Sequence, residues 1–89
     1  MRKLGRVIKI RGGRRLIIKA NFAPRILQTV YDDRLRPIGR VYDVFGPVNS
    51  PYVSVLVNHE ISENGIELFL NKFLYIKVSS KRIKKGKRR

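Results

Sequence analysis

Apolar and polar positions alternate with a period of two along much of this chain, the signature of half-buried strands. Val7-Ile8-Lys9-Ile10 and Leu16-Ile17-Ile18 are rich in β-branched residues and predict two strands. Gly12-Gly13 lies between them, where a tight hairpin requires positive φ. Residues 26–31 predict a third strand, with Leu27, Thr29 and Tyr31 on one face and Ile26, Gln28 and Val30 on the other. Asp32-Asp33 reads as a turn. Pro37 then opens a fourth strand at a position that tolerates a missing N–H. Its two faces would carry Ile38, Arg40, Tyr42 and Val44, against Gly39, Val41, Asp43 and Phe45.

Gly46 and Pro47 stop that strand, and Tyr52 starts a fifth in which Val53, Val55 and Val57 share a face. Residues 59–65 are a polar connection with a turn at Asn64-Gly65. Residues 66–70 fit either a short strand or a helical turn. Leu74, Ile76 and Val78 form the inward side of a last strand. Six or seven short strands and no convincing helix predict an all-β protein. So small a sheet must pair its edges, and a small closed β-barrel does so most economically. Its expected extent is residues 1–78, followed by a disordered basic tail over 79–89 that is too polar to fold alone.

Charge changes the picture. The 89 residues carry a formal net charge of +15. Eight basic residues and no acid fall within residues 1–19, and eight more without an acid fall within 77–89, while the middle has five basic and six acidic residues. A polyanion is therefore attracted to the two ends. If the first and last strands are neighbours, both blocks merge into one patch. Lys81, Arg82, Lys84, Lys85, Lys87, Arg88 and Arg89 are the candidate contacts for non-specific binding of nucleic acid. Arg11-Gly12-Gly13-Arg14 looks like one copy of an RNA-binding arginine-glycine box, but between two apolar runs it is better read as a hairpin turn.

Chemistry at a catalytic centre finds little support. There is no cysteine and one histidine, His59, with no nucleophile pattern near it. Asp32 and Asp33 are adjacent, so in a strand they point to opposite faces. No phosphate-binding glycine loop and no metal-ligand cluster is present, so we expect no cofactor, no metal and no small-molecule substrate. No apolar run approaches bilayer length and no apolar segment follows the basic start, so a soluble, cytoplasmic protein without a membrane partner is the expectation.

The neutral stretch in the middle of this basic chain is the exception that points to a protein partner. Ile38, Val44, Pro47, Val48 and Tyr52 are the candidates for an exposed apolar patch. Gly39, Gly46 and Pro51 are backbone devices of the same hairpin, allowing a bulge, positive φ or close approach of another chain. Together these eight residues are the candidate protein interface. Val41 and Phe45 are expected in the core, since a small barrel needs its aromatics inside. Asp43 either pairs with a cation on the partner or fixes the turn.

The same stretch carries a resemblance. Ile38-Gly39, Val41, Asp43, Phe45-Gly46-Pro47-Val48 and Pro51-Tyr52, in contiguous spacing, resemble the signature of the glycine/arginine-rich (GAR-type) small subunit of box H/ACA ribonucleoproteins. Leu4-Gly5 with Val7, and Leu74-Tyr75-Ile76, resemble that family's opening and closing strands. The resemblance implies a six-stranded barrel of the kind in domain two of translation elongation factors. It implies a non-catalytic accessory subunit that docks on the catalytic subunit of an RNA-guided pseudouridine synthase, away from the guide RNA, and assists substrate loading and product release during rRNA processing and ribosome biogenesis. Guide and substrate RNA would pass near the basic ends. One Arg-Gly-Gly in place of long repeats is similar to the short archaeal form, with nucleolar placement expected only in a eukaryote. The alternative is a small basic barrel that binds RNA directly, as a ribosomal protein does, which would interleave aromatics with Lys and Arg. Deleting residues 79–89 is expected to lower non-specific RNA affinity and to flatten its salt dependence by about 0.7 log units for each phosphate that the shortened chain leaves unneutralised. A filter-binding titration across salt concentrations measures both.

Overall fold

The computed structural model describes residues 1–77. Its strands are β1 (Arg2–Arg11), β2 (Arg15–Ala20), β3 (Thr29–Tyr31), β4 (Pro37–Phe45), β5 (Tyr52–Val57) and β6 (Phe73–Ile76), with one short helix, α1 (Glu63–Glu67). All strand pairings are antiparallel and close in the order β1-β2-β5-β4-β3-β6. The expected closed six-stranded barrel is therefore the fold. Closure removes every exposed sheet edge. The seam between β3 and β6 is the narrowest, a single register pair of Tyr31 with Tyr75. There the Gln28 side-chain amide adds a bond to the Lys77 carbonyl at 3.2 Å. Val78 and the basic tail lie outside the described residues.

The core is aliphatic. Leu4, Val7, Leu16, Ile18, Val30, Val41, Val53, Val55 and Leu74 are completely buried, joined by Ala20, Ile38, Val57, Ile66 and Ile76. None of the eight aromatic residues is buried. Phe45, expected inside, is 45% exposed. Six strands enclose less room than the eight that just accommodate filled interiors, so aliphatic side chains up to the size of Leu and Ile are fully enclosed and rings are not.

Four register shifts bend the strands into this closed shape: at Leu4 and Ile8 in β1, and at Ile38 and Tyr42 in β4. Each bulge inserts an unpaired residue and reverses the inward–outward alternation beyond it. That reversal corrects the expected faces of β4. Ile38 turns inward and is 2% exposed, Gly39 is buried beside it, and past Tyr42 it is Val44 that packs against the core while Phe45 faces out.

Two further expectations need correction. The third strand is only three residues long. Ahead of it the Gln28 N–H donates to the Arg25 carbonyl and Leu27 takes φ 71°, so residues 25–28 turn, leaving Ile26 and Leu27 exposed. The polar connection after β5 contains α1. Ser62 caps it by accepting the Gly65 N–H at 3.0 Å, and Ile66 enters the core with Ile61 and Phe69 packed alongside. Arg14, at φ 65° in the β1–β2 turn, ties this segment down: its guanidinium donates to the Asn58 and Ile61 carbonyls and lies 3.7 Å from Glu63.

Asp32 is the buried charge that organises the β3–β4 turn. Its Oδ1 accepts the N–H groups of Arg34 and Arg36, each at 2.9 Å, and Oδ2 accepts the Arg36 Nε at 3.1 Å. Burial pushes the carboxyl upward, but the backbone N–H bonds and the Arg36 guanidinium together outweigh it and hold the pKa below 3.8. The Arg36 side chain is largely exposed, so the backbone bonds carry most of the stabilisation. A depressed carboxyl pKa means stability that is present at neutral pH and lost as pH falls through the folded-state value. Asp32→Asn is expected to cost about 1–3 kcal/mol at pH 7. The gap to the parent should shrink below pH 3.8, as read from urea denaturation at both pH extremes.

Candidate functional site

The β4–β5 hairpin is the first of two surfaces. Gly46 takes φ 90°, and a Cβ there would lie 2.8 Å from the Tyr52 ring carbon Cδ2. Glycine thus lets the chain turn while the Tyr52 ring lies flat against it. Tyr52 stacks on Phe45 with centroids 5.7 Å apart and planes at 24°. Lys19 of β2 reaches over the same ring at 4.1 Å and donates to the Ser50 carbonyl at 2.9 Å. The Ala20 N–H donates to the Pro51 carbonyl, extending the β2 pairing into the loop. The tip is therefore held from both sides, with Val48 at its apex 90% exposed.

The eight candidate interface residues divide accordingly. Gly46, Pro47 and Val48 are exposed, and Val44 and Tyr52 are half-buried. Ile38, Gly39 and Pro51 are buried and belong to the barrel rather than to its surface. At Gly39 a Cβ would sit 2.3 Å from the Leu56 carbonyl oxygen, so this glycine serves the close approach of β5 rather than of a second chain. Asp43 Oδ1 accepts the Val44 N–H at 2.9 Å, a local bond beside the Tyr42 bulge. Sequence reasoning missed Phe45, which faces outward because the bulge at Tyr42 left no local signal, whereas Tyr42 is exposed as its alternation with Val41 implies.

The second surface joins the two chain ends. β1 pairs with β6 along Arg2–Ile76, Lys3–Tyr75, Gly5–Leu74 and Arg6–Phe73, so the basic start of the chain lies beside the strand that leads to its basic end. Cations and rings alternate over the barrel surface. Arg2 lies over Phe22 at 3.8 Å, Lys3 over Phe73 at 4.2 Å, Arg15 over Tyr42 at 3.9 Å and Lys77 over Tyr31 at 5.4 Å. Along the chain the aromatic segment and the basic blocks are apart; in the fold they interleave. The seven tail residues Lys81, Arg82, Lys84, Lys85, Lys87, Arg88 and Arg89 lie outside the described residues. Among the described residues, no three His, Cys, Asp or Glu side chains come together, and His59 is exposed in a turn.

A family model described as the Gar1/Naf1 RNA binding region matches residues 1–85. The chain is also 28% identical over 89 residues to an uncharacterized protein of Methanothermobacter thermautotrophicus, a match spanning all of this chain and 95% of that one. Within the hairpin, Gly46→Ala is expected to destabilise the barrel by roughly 1–2 kcal/mol, through left-handed strain and displacement of the Tyr52 ring. A lowered melting temperature together with a changed near-ultraviolet tyrosine signal is the expected readout.

Proposed function

The chain belongs to the Gar1/Naf1 family, and on that premise we propose that it is the small accessory subunit that docks on the catalytic subunit of an RNA-guided pseudouridine synthase. The family consists of RNA-binding accessory proteins of box H/ACA particles that are not themselves catalytic. The docking element in this reading is the β4–β5 tip, formed by Phe45, Pro47, Val48 and Tyr52. The observation that carries it is Val48, an aliphatic side chain 90% exposed at the apex of a loop fastened by Gly46 and Lys19. A rigid loop presenting apolar surface loses little conformational entropy on binding. The segment from residue 41 to 55 is also nearly neutral, with Asp43 its one charged residue, so docking there needs no acidic partner.

In this reading the subunit assists loading and release of substrate RNA by holding the catalytic subunit in a productive arrangement. The setting is cytoplasmic and archaeal-type: the similar protein comes from Methanothermobacter thermautotrophicus, and the chain carries one Arg-Gly-Gly rather than repeats.

A second reading, direct contact with RNA, is favoured by the lysines that lie over Phe73 of β6 and Tyr31 of β3. The two readings are compatible because they use different strands. Val48→Asp is expected to abolish a salt-resistant complex with the catalytic subunit while the melting temperature stays within a few degrees of the parent. Co-purification at high salt measures this, and an unchanged complex would exclude the tip as the docking element.

A further inference from the structure

We propose that the outer face of β1, β6 and β3 is a binding platform for single-stranded RNA, built from Lys3, Arg6, Tyr31, Phe73, Tyr75 and Lys77. This rests on the reading that the protein itself contacts RNA, and it names where and in which strand state.

The registers assemble the platform. Leu74 and Ile76 point into the barrel, so Phe73, Tyr75 and Lys77 point out along β6. Lys3 is the cross-strand neighbour of Tyr75 on one side, and Tyr31 is its neighbour on the other. Arg6 is the neighbour of Phe73. Tyr31 and Tyr75 thus stand side by side, roughly 5 Å apart as cross-strand partners are. Phe73 follows two residues along β6, about 7 Å away. Three rings in this spacing match a run of unstacked bases, and every base has a face that can stack on them.

Charge selects the occupant. β1, β3 and β6 contain no acidic residue. Asp32, which follows β3 directly, is buried and bonded to Arg34 and Arg36, and the exposed Asp33 lies in the turn beyond it. An acidic peptide would satisfy the cations but leave the rings idle; duplex RNA would offer phosphates but no free base faces. Single-stranded RNA uses both. In the free protein Lys3 covers Phe73 and Lys77 covers Tyr31. Exposed contacts of this kind are weak, so each ammonium can swing to a phosphate as a base takes its place on the ring.

The platform is also unobstructed by docking. In the closed order β1-β2-β5-β4-β3-β6, β6 lies diametrically across from β5, the strand that begins at Tyr52 of the docking tip.

The test uses the full chain and a labelled oligouridine about 12 nucleotides long, by fluorescence anisotropy at about 0.15 M salt. Tyr75 belongs to the narrow β3–β6 seam, so the stacking variant is Phe73→Ala, which spares it. Phe73→Ala is expected to weaken binding about tenfold with an unchanged salt slope. The double variant Lys3→Gln, Arg6→Gln should flatten the slope by about 1.4 log units, and Val48→Asp should leave RNA affinity as in the parent. Ultraviolet crosslinks should map to the β6 peptide, and a duplex of equal length should compete poorly. If the parent binds no RNA, the reading of direct contact fails and the platform with it. If it binds but loses affinity only on removal of residues 79–89, or takes duplex as well as single strand, the platform alone is overturned. Release of the catalytic subunit by Phe73→Ala, with RNA affinity intact, would make this a protein surface and overturn it likewise.

Discussion

Closing six short strands into a barrel is the constraint from which the rest of this molecule follows. The interior has room for Val, Ile and Leu, and the completely buried positions hold nothing larger. The aromatic residues are thereby kept from full burial, and their exposed apolar faces would be a liability. Five of them are covered by a lysine or arginine instead. A tight core thus produces an outside on which rings and cations alternate, which is the equipment that an RNA-associated protein needs.

Closure also requires curvature, and the bulges at Leu4, Ile8, Ile38 and Tyr42 supply it. Their cost is borne by irregular pairing; their effect is to choose which side chains face the world. In β4 they bury Ile38 and Gly39 and expose Tyr42 and Phe45. The Asp32 carboxylate and the Arg14 guanidinium complete the frame from inside, each satisfying backbone groups that the turns leave unpaired. Arg14 therefore belongs to the scaffold, although along the chain it counts as one more residue in a basic block.

The cyclic strand order divides labour without dividing the domain. β5 and the loop before it present an apolar tip braced by Lys19, and β6 across the barrel presents rings among cations. A family of RNA-binding accessory proteins of H/ACA particles has use for both. In the proposed reading, opposite faces would let one small barrel lie between a protein and an RNA strand without either occluding the other.

Residue patterns alone are enough for the all-β class, the hairpin at Gly12-Gly13, the boundaries of β5 and the inward row of Val53, Val55 and Val57, because a period of two and turn chemistry are local properties. The signature around Gly46 is equally legible. What local pattern does not convey is the parity of β4: one extra residue at Tyr42 exchanges the fates of Val44 and Phe45, and a bulge is chosen by the partner strand, not by the strand itself. The turn at Leu27 escapes local pattern for the same reason, and at residues 66–70 local pattern left a strand and a helical turn open until the core, assembled from distant residues, took in Ile66. Sequence determined which residues were available, charged, apolar or aromatic. Closure of the barrel decided which of them face inward, and so placed the cations upon the rings.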